Sequence, residues 1–213
     1  MSARPAPNPT PISPPRLLIL ACGALANEIK HLIRLNDWDH VTMECLPARY
    51  HNTPDRIVPE LKARLEEKAS LYDRIFIGYA DCGTGGQLDS LLKEWENVER
   101  LPGAHCYEFY ATSPVFHQLH EREIGTFYLT DFLARHFDRL VWQSLGLDRY
   151  PQLRELYFGN YRKLVYLAQF DDPTTARMAE EAAQRLGLEY QYLPVGLGHL
   201  ETGLVTFVQP AGV

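Results

Sequence analysis

Cysteine is scarce in this chain, and none of its cysteines form a CxxC pair. The four that occur, Cys22, Cys45, Cys82 and Cys106, are too few and too widely spaced for the disulfide framework of a small secreted domain. A reducing, cytoplasmic setting is therefore expected. Basic residues are in the minority: 21 Lys and Arg stand against 27 Asp and Glu, for a formal charge of −6. That balance argues against a general nucleic-acid binder, which carries a basic face. No apolar stretch approaches the roughly 20 residues of a membrane span, so neither nucleic acid nor membrane is expected as a partner. Ile19-Leu20-Ala21-Cys22 has the look of a lipoprotein cleavage site, but the apolar run before it begins only at Leu17. A signal core needs roughly 7–15 apolar residues, and the prolines upstream do not suit a helical one. No internal repeat of fixed period is present.

What is present is alternation of strand and helix patterns. Residues 1–15, with prolines at 5, 7, 9, 11, 14 and 15, read as a disordered tail. Residues 16–213 read as a single α/β domain, with two lobes dividing near 125 as the alternative. Leu17 to Ala21 is an apolar run suited to a strand buried on both faces. Val41 to Leu46, Ile75 to Ala80, Lys163 to Ala168 and Glu189 to Leu193 are further strands, and Glu99 to Ala104 is a weaker one interrupted by Pro102. Gly125 to Asp131 reads as a turn entering a longer helix that buries Phe132, Leu133, Phe137, Leu140 and Val141. Asp172-Pro173 is an N-cap followed by proline at the first helical position. The expected fold is α/β, with a mostly parallel Rossmann-like sheet and helices on both faces.

Cys22, Cys82 and Cys106 each follow a run read as a strand. If those strands are parallel neighbours, the thiols meet at the carboxyl edge of the sheet, where open α/β sheets bind ligands. Thiolates are soft ligands for zinc or for the iron of an iron–sulfur cluster. A three-thiolate set leaves one position for a fourth ligand or for chemistry. His51, His105, Glu108 and Glu28 are candidate additional ligands or acid/base groups. Cys45, inside a strand, reads as a small buried hydrophobe. A thiol-redox pair and inert cysteines are the competing readings of the cysteine set. The loop Asp81-Cys82-Gly83-Thr84-Gly85-Gly86 before a helix also suggests phosphate binding, with Gly23, Gly83, Gly85 and Gly86 as candidate cofactor-binding residues. It lacks the Lys-Ser/Thr ending of a P-loop and is not a GxGxxG fingerprint. The aromatic residues of the second half, Tyr107 to Tyr161, read first as core.

In combination, Ala21-Cys22-Gly23-Ala24-Leu25, His51-Asn52 with Pro54 and Ile57, Gly78-Tyr79 with Cys82-Gly83, the Cys106 segment, and Gly125 to Thr130 resemble the family known as domain of unknown function 1638. The resemblance covers roughly residues 16 to 200. Cys22, Glu28, His51, Cys82, Gly83 and Cys106 match its pattern, and Cys45 does not. His105-Cys106 stands where the family pattern has Asp-Cys; if the residue before the cysteine is a ligand, the resemblance implies a difference in metal or role. Members are typically bacterial and archaeal, with genes near corrinoid-dependent methyltransferases. The resemblance thus implies a link to one-carbon or corrinoid metabolism, with corrinoid or methyltransferase proteins as partners. The leading expectation is a metal-binding protein holding an iron–sulfur cluster or zinc on the three cysteines. A non-catalytic accessory or cofactor-delivery protein is the second, and a nucleotide- or phosphate-binding enzyme is the third.

Overall fold

A computed structural model describes residues 14–209; apart from Pro14 and Pro15, the expected tail lies outside the described residues. Leu17–Cys22 forms β1. Its side chains alternate between faces, as a strand requires. Leu17, Ile19 and Ala21 join one core and Leu18 and Leu20 another, so both faces are covered. With β2 (Val41–Leu46), β3 (Arg74–Gly78) and β4 (Val98–Arg100) it makes a four-stranded, all-parallel sheet in the order β2-β1-β3-β4. Parallel neighbours need crossovers, which are supplied by α1 (Ala26–Leu35), α2 (Ile57–Lys68) and α3 (Gln87–Leu92). Ile29 and Leu32 of α1 cover one face. Ile57, Leu61 and Leu65 of α2, with Leu88 and Leu91 of α3, cover the other.

β2 and β3 lie on opposite sides of β1, so the strand order reverses between β1 and β3. The crevice outside the carboxyl ends at such a reversal is the usual ligand position in open parallel sheets. Gly78 closes β3 there. A Cβ on it would lie 2.7 Å from the Cβ of Ala21, so the residue has to be glycine for β1 and β3 to approach this closely.

After β4 come α4 (Tyr107–Ala111) and α5 (Ser113–Arg122). A second all-parallel sheet follows, β5 (Thr126–Thr130), β6 (Lys163–Ala168) and β7 (Glu189–Pro194), in that order. The segment between β5 and β6 contains α6 (Asp131–Arg135), a π-helical turn over Asp138–Trp142, and α7 (Leu153–Phe158). α8 (Pro173–Leu186) crosses from β6 to β7, capped by the Asp172 carboxylate and stopped by Gly187 at φ +75°. Its small face, Ala179, Ala182 and Ala183, lets it sit close to Leu164 and Tyr166. α9 (Gly198–Val208) returns to the first sheet, where Leu200, Leu204 and Phe207 pack with Leu17 and Phe76. The chain is therefore α/β with parallel strands and flanking helices, in two sheets. Among the described residues no helix is long and apolar enough to cross a membrane.

Local expectations needed correction at three places. The fourth strand is only Val98–Arg100 and ends before Pro102, which has no N–H for a ladder, and Gly103 at φ +139°. Gly125 to Asp131 is not a turn: Thr126–Thr130 is β5, and its run of aromatic and β-branched residues pairs with β6. The helix expected after it is broken into α6 and the π-helical turn. Cys45 is exposed rather than core, because β2 is an edge strand with few buried positions.

Candidate functional site

Cys22 is the last residue of β1 and caps the short 3-10 turn Gly23–Leu25, with the Ala24 N–H donating to its Sγ at 3.4 Å. Cys82 lies in the loop leaving β3, at φ +50°. A non-glycine residue rarely adopts this left-handed conformation, and such strain clusters at functional sites. Beyond the end of β4 the loop stays bonded to β3's exit: Asp81 N–H donates to Gly103 O at 2.9 Å and Cys82 N–H to Ala104 O at 3.0 Å. Those two bonds bring Cys106 beside Cys82. The neighbouring Cys106 thiol holds the Cys82 pKa below the ordinary thiol value. Cys106 itself is raised well above that value, by the neighbouring Cys82 and by burial. Burial likewise pushes Cys22 up to about 11, although the Ala24 N–H works against it and the Cys82 sulfur works with it.

The three sulfurs lie on the wall of a cavity of about 520 Å³ between the two sheets. Gly78 and Tyr79 lie on the same side, from the end of β3. The facing wall comes from the second half of the chain, with Phe127, Phe132, Leu133, Leu140 and Val141. Tyr107 and Tyr110 line it too, so part of the aromatic-rich half does more than fill a core. Asn52 reaches across the mouth, its amide donating to Leu140 O at 3.4 Å and Ser144 Oγ at 3.3 Å. His51 lines the cavity beside it and is exposed. Partial desolvation, with His105 nearby, lowers its pKa.

The other candidates are placed differently. Glu108 is buried and fully engaged: Oε1 accepts from Ala104 N–H at 2.9 Å and His105 N–H at 3.4 Å, and Oε2 from Ser113 Oγ at 2.8 Å. Burial alone would raise its pKa, but these donors outweigh it and the carboxyl is lowered. Glu108 thus fastens the loop that presents Cys106. His105 is exposed, packs near Tyr107 and Phe116, and is not on the cavity wall. Glu28 is 1% exposed, and its Oε2 has no hydrogen-bond partner. It too is off the cavity wall, at the junction with the second sheet, where Asp131 and Arg135 influence it.

Gly83, Gly85 and Gly86 have φ of +83°, +63° and +81°, as the tight turn requires. The expected anion cradle is already filled from within. Asp81 accepts from Gly86 N–H at 2.8 Å, Gly85 N–H at 3.1 Å and Thr84 Oγ1 at 2.7 Å, and the Gly86 bond above all lowers its pKa. A phosphate would have to displace this carboxylate, so the loop is a self-satisfied turn that sets Cys82. Gly23 serves packing: a Cβ there would lie 3.1 Å from Leu46 O.

Two buried polar residues near the site were not among the candidate site residues read from the sequence. The Tyr79 hydroxyl is buried near the Cys22 sulfur without a hydrogen-bond partner, and burial first, then that sulfur, keep it protonated. Asp131 is fully buried and accepts from Tyr166 OH at 2.7 Å, Gln169 N–H at 3.0 Å and Phe170 N–H at 3.3 Å.

Among the described residues, no group of three or more His, Cys, Asp or Glu is arranged to hold a metal ion. Cys82 and Cys106 shift one another's pKa, and Cys22 is within electrostatic range of both. A family model described as "Protein of unknown function (DUF1638)" matches residues 45–204, a segment that includes His51, Cys82 and Cys106 and begins after Cys22. No curated protein and no solved structure matches the chain.

Proposed function

The chain belongs to the DUF1638 family, and we propose that it is a metal-binding protein whose Cys22, Cys82 and Cys106 hold zinc or an iron–sulfur cluster at one end of the cavity. The observation that carries this reading is the charge balance around the sulfurs. Burial raises the Cys22 pKa to about 11 despite the Ala24 N–H bond to its sulfur, so without a cation beside it Cys22 is a neutral thiol. No Lys or Arg is among the described residues lining the cavity. Thiolates gathered there need a cation, and a soft metal is the cation that suits thiolate ligands. Its binding would also give the Tyr79 hydroxyl an acceptor, relieving a buried group whose unmet bond costs about 1–3 kcal/mol.

In this reading Cys82 and Cys106 are the pair already adjacent, and metal loading draws Cys22 to them. Glu108 positions the Cys106 loop, and the Asp81 turn positions Cys82. His51, on the cavity wall and with a lowered pKa, is suited to a fourth ligand or to accepting a proton. Bound zinc would supply Lewis acidity, and a bound cluster electron transfer or ligation at an open iron. The link to one-carbon and corrinoid chemistry rests on the family resemblance alone.

The test is anaerobic purification, elemental analysis and a visible spectrum. Cys22→Ser, Cys82→Ser and Cys106→Ser should each lower metal content sharply and by similar amounts. A second reading, a dithiol/disulfide couple of Cys82 and Cys106, is favoured by their proximity and by the lowered Cys82 pKa. It predicts that Cys22→Ser leaves the redox behaviour of the pair intact and that no metal is found in any preparation.

A further inference from the structure

The cavity has a chemical character that the sulfurs alone do not account for. Among the described residues that line it there is no Asp, Glu, Lys or Arg. Its one histidine is His51. A phosphate, carboxylate or ammonium group entering here would lose water and meet no opposite charge, which is the most costly form of burial. Away from the cysteines the wall includes Leu25 and Ile57 from the first sheet's side and Phe132, Leu133, Leu140 and Val141 from the second, with Thr130 and Ser144 as uncharged polar members. The Asn52 amide at the mouth is already engaged with Leu140 and Ser144. The volume of about 520 Å³ falls within the roughly 300–1,000 Å³ of small-molecule sites.

We infer that the cavity binds an uncharged organic molecule with a largely apolar body, its single polar group turned toward the cysteine end. The apolar wall contributes affinity by excluding water from the body of the molecule. Away from the sulfurs the uncharged lining contributes selectivity, because an ionised group buried there is left unpaired. This deepens the reading above by naming the class of molecule that meets the sulfurs. It rests on the same cavity but not on the metal.

The experiment is a titration of the full chain with N-phenyl-1-naphthylamine, an uncharged probe that fluoresces in apolar surroundings. Displacement by 1-octanol, octanoate and octylamine at neutral pH then follows. Saturable probe binding is expected, with the alcohol displacing it at least about tenfold more effectively than either charged congener. Val141→Trp, which fills the cavity, should abolish binding. Leu133→Trp does the same from α6 if the first variant fails to fold. Leu156→Trp, at a residue 73% exposed on α7, should bind as the wild type does. Lack of saturable binding, a charged congener competing equally well, or unchanged binding in a folded cavity-filled variant would overturn the inference. Metal analysis of the same samples separates the two readings. Probe binding with no metal in any preparation removes the metal and leaves the cavity ligand; metal without probe binding does the reverse.

Discussion

Replacing Glu28 with Gln tests whether an acid has been built into the junction of the two sheets in its neutral form. Glu28 is 1% exposed, and its Oε2 has no hydrogen-bond partner. Burial, with Asp131 adding to it and Arg135 opposing, raises its pKa from 4.5 to about 7. The native state therefore holds the proton more tightly than the unfolded chain. Below the unfolded value both states are protonated and the stabilisation is complete; it is lost as pH rises through about 7, where the native state must bury a charge. The interval from 4.5 to about 7, at about 1.4 kcal/mol for each pH unit, corresponds to about 3 kcal/mol. Glu28→Gln copies the neutral acid and cannot ionise. Wild type and variant should be of similar stability near pH 4, and the variant more stable by up to about 3 kcal/mol near pH 8. Urea denaturation followed by circular dichroism, at a series of pH values, measures the difference while other titrating groups cancel. A difference that does not vary with pH, or a variant that loses ground as pH rises, would refute the reasoning.

Glu108→Gln should lower stability by about 1–3 kcal/mol in thermal or urea denaturation, because the carboxylate is the acceptor for three donors in a buried setting. The same variant should reduce metal content less than Cys106→Ser does, since it loosens the loop without removing a sulfur. Cys45→Ala should change stability by no more than about 0.5 kcal/mol, the scale of an exposed site, and should retain metal; loss of metal in that variant alone would mean that the ligand set includes Cys45.

Much of the first sheet was legible because its signals are local. The run Leu17 to Ala21 is too continuously apolar for anything but a doubly covered element, and Asp172-Pro173 and Gly187 mark the ends of α8 by the geometry of their own backbone. The positions of Cys22 and Cys82 after strands were legible for the same reason. β5 was missed because its helix-forming successor residues, Phe132 to Val141, drew the whole segment into one pattern, whereas its identity as a strand depends on pairing with β6 some 37 residues later. Cys45 was misread because a strand's sequence does not say whether it lies at an edge.

The sequence by itself determined the alternation of strands and helices, and with it the parallel sheets, because hydrophobic periodicity and turn residues act over a few neighbours. It also put thiols at the carboxyl ends of strands. Only the tertiary structure decided which polar groups are free and which are spent. The Gly85 and Gly86 amides looked like an anion cradle until Asp81 was found in it, and Glu108 looked like a ligand until its oxygens were found on Ala104, His105 and Ser113. The far wall of the cavity, Phe127 to Leu145, likewise exists only because the second sheet packs opposite the first. Hydrogen-bond partners and cavity walls are made by residues far apart in the chain, and no local pattern specifies which distant group will reach a given atom first.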